Sequence, residues 1–163
     1  MRELPKNQLN PKVKNVWRIN DAVWITLAFL CCFVPVALIQ ASDAAPSWCV
    51  IVMAVEGVLF VAALIVWLAV LPPIRFFRWR YELTEDYLDI ARGIIWRKRI
   101  VIPFIRVQNT DTRQGPILRA FALASVTVST AAGEHEIPGL EADVAEDLRD
   151  KVAELARIAQ EDV

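Results

Sequence analysis

Two long apolar runs open the chain, and short alternating segments fill most of the remainder. From Trp48 to Leu71 there are 24 residues of which only Glu56 is charged, and about 20 apolar residues suffice to cross the roughly 30 Å hydrocarbon core of a bilayer. An earlier run, Ala22 to Ala41, carries no charge at all. Both read as transmembrane helices, the first kinked at Pro35. Pro72-Pro73 is expected to end the second span. In Arg75 to Tyr81 arginine alternates with aromatic or apolar residues, the pattern of an interfacial anchor turning into a strand. Residues 1–15 hold Pro5, Pro11 and three asparagines without apolar periodicity, which predicts a mobile arm that cannot order itself alone.

From Arg78 onward the period falls to that of β-strands separated by turn residues. Strands are predicted over Arg78 to Thr84, Tyr87 to Arg92, Ile94 to Ile102 and Phe104 to Thr112. Thr84-Glu85-Asp86 is a turn, Gly93 is a break, and Pro103 ends the third strand. Gln114-Gly115-Pro116 leads into a short helical or irregular piece at Ile117 to Leu123. Ser125 to Thr130 and Glu134 to Ile137 then read as strands joined at Gly133. After Pro138-Gly139 comes an amphipathic helix, Glu141 to Gln160, with Val144, Leu148, Val152, Leu155 and Ile158 along one stripe and acidic residues in the first turn, as the helix dipole favours. The organisation is thus a two-helix transmembrane hairpin (residues 16–74) followed by a sheet-rich domain (residues 75–163) closed by a helix.

Composition agrees with this division: 56% hydrophobic residues and a mean hydropathy of +0.38 over 163 residues exceed what an ordinary soluble domain carries. The formal net charge of −1 conceals an asymmetry. Residues 1–74 hold 5 basic and 4 acidic side chains, residues 75–119 hold 10 and 5, and residues 120–163 hold 3 and 10. Arg2, Lys6, Lys12, Lys14 and Arg18 precede the first span, Arg75, Arg78 and Arg80 follow the second, and the link between them has no lysine or arginine. By the positive-inside rule Met1 and Val163 are expected on the cytoplasmic side and Ser42 to Pro46 outside, in a multi-pass protein of the inner membrane. Cys31, Cys32 and Cys49 lie in or beside apolar runs and suggest neither a disulfide framework nor a metal site.

Four segments are worded closely enough to identify a family: Trp79-Arg80-Tyr81-Glu82-Leu83-Thr84, Arg92-Gly93-Ile94-Ile95-Trp96-Arg97, Ile102-Pro103-Phe104-Ile105-Arg106-Val107-Gln108 and Gln114-Gly115-Pro116-Ile117-Leu118-Arg119. They resemble the bacterial pleckstrin-homology-like (PH-like) membrane proteins of the YdbS-like type, and the resemblance covers the whole plan of two spans and one domain. It implies an α+β PH-like fold, a bent antiparallel β-sandwich or barrel capped by a C-terminal helix. It implies no particular ligand. Two departures stand out. Eukaryotic PH domains that bind phosphoinositides place basic residues around the first hairpin turn, which here is Thr84-Glu85-Asp86, and Ala122 stands where the family pattern has glycine.

The candidate lipid- or partner-binding residues are Arg75, Arg78, Arg80, Arg97, Lys98, Arg99 and Arg106, with Arg113 and Arg119 nearby. Such charges attract anionic lipid head groups at about 1 kcal/mol each; the plainer alternative is a solvated strand face with ordinary positive-inside flanks. In a strand, Arg97 and Arg99 would share one face and Lys98 the other, so the three should not form one flat patch. Without a net basic excess over the domain or a groove-reading motif, nucleic acid is not an expected partner. His135, between Glu134 and Glu136, is expected as an exposed strand residue, with titration near neutrality as the functional alternative. No nucleophile elbow, phosphate loop or paired metal-ligand spacing appears, so neither catalysis, cofactor nor metal is expected.

Glu56 needs an explanation of its own, since a carboxylate within a span costs roughly 2.5 to 3.5 kcal/mol. It could contact a partner helix or sense a proton or cation; the plainer reading is a carboxyl kept neutral by burial against the neighbouring helix. Gly57, Ala62 and Ala63 would allow close helix approach. Because Pro35 frees the carbonyl of Cys31, and the two residues sit at matching depths of about 15 and 12 Å at 1.5 Å per residue, a protonated Glu56 is expected to donate to that carbonyl. Taken together, the sequence predicts a membrane-anchored binding or scaffolding module rather than an enzyme. Partner proteins, a homo-oligomer or anionic phospholipid are its candidate ligands. The alternative is an accessory subunit of a transporter or export complex acting through its spans and Glu56.

Overall fold

The computed structural model describes residues 4–42 and 46–161; the expected positions of Met1, of Val163 and of much of the link between the spans lie outside the described residues. The chain forms two compact units, Trp17–Pro73 on the one hand and Met1–Val16 with Ile74–Val163 on the other.

The first unit holds helix α1 (Val13–Gln40) from Trp17 onward and helix α2 (Trp48–Leu64), which passes into a π-helical stretch, Ile65–Val70, and then into α3 (Leu71–Arg78). Both apolar helices are long enough to cross a membrane. The helix does not stop at Pro72-Pro73. The π-helical stretch changes the hydrogen-bond register ahead of the prolines, so that the N–H of Leu71 donates to the carbonyl of Val66. Pro72 and Pro73 can donate to nothing. The carbonyl of Leu68, which would be the partner of residue 72 in an α-helix and of residue 73 in a π-helix, instead accepts the Nε–H of Arg18 at 2.8 Å. A freed carbonyl in an apolar setting is costly unless another donor reaches it, and here Arg18 supplies one. Phe29 stacks on Phe60 with ring centroids 4.3 Å apart.

The second unit is built on two antiparallel sheets. One has the order β1 (Asn7–Gln8), β2 (Arg80–Leu83), β3 (Tyr87–Arg92), β4 (Lys98–Pro103), and the other β5 (Val107–Arg113), β6 (Leu123–Thr130), β7 (Gly133–Glu141). A 3₁₀ turn, Phe104–Arg106, links them, the short helix α4 (Pro116–Ala120) precedes β6, and α5 (Ala142–Glu161) follows β7. Leu88, Ile90, Ile102, Phe104, Val126, Val128 and Ile137 form the core. The sheets do not close into a barrel. The buried face of α5 carries Ala145, Leu148, Val152 and Ala156, whereas Val144 and Ile158 of the expected stripe are exposed. Alanines add little to a hydrophobic pattern, yet here they let the helix lie close.

Residues 1–15 were expected to form a mobile arm, and the described part of that segment is instead packed into the domain. Asn7 and Gln8 pair with Tyr81 and Arg80, and Pro5, Leu9 and Val13 are buried. Asn10 takes part three times: its N–H donates to the carbonyl of Gly139 at 3.1 Å, its Nδ2 donates to Glu141 Oε1 at 2.8 Å, and its Oδ1 accepts the N–H of Lys12 at 2.9 Å at the start of α1. Gly139 adopts φ +64°, and a Cβ there would collide with Val13. The arm is ordered by partners distant in sequence, which composition cannot disclose.

Candidate functional site

The β3–β4 connection positions the site. Gly93 has φ +116°, and a Cβ on it would collide with the carbonyl of Trp96, so the loop from Gly93 to Arg97 folds this tightly only with glycine at its head. The expected third strand therefore begins four residues late, at Lys98. Arg78, in the last turn of α3, donates from Nη1 to the carbonyl of Ile94 at 2.6 Å and ties the loop to the segment that follows the second apolar run.

Around this loop lies a cavity of about 370 Å³ lined by Leu4, Phe77, Arg78, Arg80, Ala91, Arg92, Gly93, Arg97, Lys98 and Arg99. Arg80, Ala91 and Arg99 are cross-strand neighbours in one row, and Arg92 pairs with Lys98 in the next. Arg97, Lys98 and Arg99 were expected on alternating faces; they line one cavity because Arg97 sits in the loop and Lys98 is the first strand residue, where the pleat imposes little. The structure thus brings together Arg78, Arg80, Arg97, Lys98 and Arg99, and adds Arg92, which in the sequence reads only as the end of a strand. Arg75 and Arg106 lie outside this lining.

One member is held rigidly. Arg99 donates from Nε to Asp89 Oδ1 and Oδ2 at 3.1 and 3.0 Å and from Nη2 to Oδ2 at 2.6 Å. Those hydrogen bonds raise the pKa of Arg99 further above its already high value. Asp89 is 2% exposed, so a buried carboxylate outside the lining holds Arg99 in place. Among the described residues no carboxylate lines the cavity, which leaves an electropositive recess suited to a phosphate or another compact anion.

A second recess of about 790 Å³ runs along β4 to the β6–β7 turn, with Ile100, Ile102, Ile105 and Val107 on its walls and Lys98, Arg106, Gln108, Gln160 and His135 among its polar residues. His135 is partly buried rather than exposed, and its Nδ1 has no hydrogen-bond partner. Strand alternation turns Glu134 and Glu136 to the opposite face, and Glu134 lies 3.4 Å from Arg113. Burial lowers the pKa of His135 from its ordinary value, and the nearby charges of Arg92 and Lys98 lower it further.

In the other unit, Glu56 lines a cavity of about 340 Å³ with Ile25, Ala28, Phe29, Cys32, Leu59, Phe60, Ala63 and Trp67. Its Oε2 is buried without a hydrogen-bond partner, so the expected bond to the carbonyl of Cys31 does not form. Cys32, not Cys31, shares the cavity with it. A Cβ on Gly57 would meet nothing within 4 Å, so this glycine does not mark a close helix contact.

Comparison with known proteins adds four findings. The model of the bacterial PH domain family matches residues 22–156. The chain is 39% identical over 163 residues, the full length of both chains, to the UPF0699 transmembrane protein YdbS of Bacillus subtilis (strain 168). It is 28% identical over 80 residues to the UPF0699 transmembrane protein YdbT of the same organism, a stretch that covers 49% of this chain and 16% of YdbT. No solved structure matches the chain.

Proposed function

Because the chain belongs to the bacterial PH domain family, we propose that it is a membrane-anchored PH-like binding module, not an enzyme, whose basic recess on β2–β4 takes anionic groups at the cytoplasmic face of the inner membrane. The observation that carries this reading is the convergence of Arg78, Arg80, Arg92, Arg97, Lys98 and Arg99 on one cavity, with no carboxylate among the described residues of its lining. Arg99 is already paired with Asp89, and the five other cations held around it repel one another, an arrangement that an anionic ligand relieves. The ligand chemistry is a phosphate, and a phospholipid head group is the abundant source at a membrane. Salt should weaken binding because the rim is solvated.

The test is titration of the detergent-solubilised full chain with short-chain phosphatidylglycerol, phosphatidylcholine and inorganic phosphate. Saturable binding of the first, lost in Arg97→Glu/Lys98→Glu and at high salt, supports the reading; equal binding of the zwitterionic lipid sinks it, and binding of inorganic phosphate alone would assign the recess to a soluble anion. Orientation is tested separately by labelling from outside: a cysteine at Ser42 should react and one at Glu161 should not. A second reading, an accessory subunit of a transporter or export complex acting through its spans, draws on the partnerless carboxyl oxygen of Glu56. It requires a partner helix offering a donor at that depth.

A further inference from the structure

The tip of the β3–β4 loop carries two apolar side chains with no cover: Ile95 is 86% and Trp96 87% exposed. On the edge of the neighbouring recess Phe77 is 66% and Leu4 68% exposed. We infer that Ile95 and Trp96 form a wedge that seats in the interface of an anionic bilayer while the adjoining basic recess takes a lipid phosphate.

Four observations choose the bilayer over a protein partner. First, the uncovered tip is only two side chains, Ile95 and Trp96, which fits insertion between lipid head groups; protein interfaces of useful affinity need a much broader area. Second, the stretch from Ile90 to Arg106 contains Arg92, Arg97, Lys98, Arg99 and Arg106 and no acidic residue, so the surroundings of the tip complement a negatively charged surface. Third, tryptophan favours the zone between head groups and acyl chains, with its ring in the apolar layer and its N–H in the wet one. Fourth, the loop is braced for load. Gly93 fixes its turn, and the hydrogen bond from Arg78 to the carbonyl of Ile94 at 2.6 Å holds its base. The domain follows the second apolar run directly in the chain, and a contact too weak to recruit a free protein suffices for a tethered one.

This inference rests on the lipid reading of the recess, and the experiment separates the two. The full chain, with Cys31, Cys32 and Cys49 replaced by serine, is labelled with an environment-sensitive fluorophore at Ile95→Cys, or at Trp96→Cys as a second variant. It is reconstituted in vesicles of phosphatidylcholine with or without phosphatidylglycerol, carrying a quencher near the head groups. A label at Glu85→Cys, on the β2–β3 turn, is the reference. The wedge predicts blue-shifted emission and at least twofold stronger quenching at 95 or 96 than at 85 in anionic vesicles, falling to the reference level in Arg97→Glu/Lys98→Glu. Quenching that ignores lipid charge and those substitutions overturns the inference, leaving an apolar tip that inserts without help from the recess. Saturable binding of short-chain phosphatidylglycerol with an unquenched tip keeps the recess and overturns the wedge. A tip that is blue-shifted, unquenched and transfers energy to labels on other copies is an interface between proteins, which also overturns it.

Discussion

Two carboxylates, Asp89 in the sheet domain and Glu56 in the apolar hairpin, meet a similar problem and end differently. Asp89, 2% exposed, is held by three hydrogen bonds from Arg99. Glu56 has a buried oxygen with no partner and a cavity of about 340 Å³ beside it. The sheet solves its problem by register: the pairing of Ala91 with Arg99 and of Asp89 with Val101 places the guanidinium diagonally across from the carboxylate. The hairpin is capable of such solutions too, since Arg18 reaches the carbonyl that Pro72 and Pro73 leave without a donor. Yet it leaves the Oε2 of Glu56 without one.

The largest expected effect breaks the paired side of this comparison. Arg99→Ala leaves Asp89 buried without its cation and should lower the melting temperature far more than Arg97→Ala, with Asp89→Asn recovering part of the loss. Equal losses for the two arginines would show the pair to be incidental. Next, Arg18→Ala should cost about 1–3 kcal/mol by exposing the carbonyl of Leu68 to an apolar setting. Pro72→Ala, which restores a backbone donor, should make Arg18→Ala milder; strict additivity in that cycle would contradict the account. Glu56→Leu is expected to leave the hairpin's own stability within about 1 kcal/mol or raise it, because no bond within the chain is lost. A clear loss would mean that the carboxyl does find a partner here.

Smaller effects sharpen the contrast within the domain. Ala122 is the one described non-glycine residue with positive φ, at 54°, so Ala122→Gly should gain about 0.5–1 kcal/mol as relief of strain outweighs the greater entropy of the unfolded chain. His135 gives the smallest. Its pKa is lowered from 6.5, first by burial and then by Arg92 and Lys98, so just below pH 6.5 the unfolded chain binds more protons than the folded one. Stability should therefore rise with pH across that window and fall as the medium is acidified, and melting curves of His135→Gln should lose that slope.

Much of this was legible in the sequence. Uninterrupted apolar length announced the two helices, alternation and turn residues announced the strands, and the glycine expected at 122 corresponds to the positive φ found there. What escaped depended on contacts between distant residues. The arm at residues 4–12 is ordered by Gly139, Glu141 and β2, and nothing local foretells it. The helix continues past Pro72-Pro73 because a π-helical stretch and Arg18 absorb the missing donors. Within the site, Arg97, Lys98 and Arg99 were legible as a charge cluster but not as one lining, because that depends on where the strand starts. Ile95 and Trp96 were hidden for the same reason: placed in a strand they would alternate faces, whereas at the tip of a loop set by Gly93 they stand clear of the fold together.

The most direct test of the central claim is amide hydrogen exchange of the full chain in nanodiscs of phosphatidylcholine with and without phosphatidylglycerol. The account predicts slower exchange in the anionic discs over residues 92–99, with the β2–β3 turn at Thr84–Asp86 unchanged. Identical exchange of residues 92–99 in both kinds of disc would contradict it.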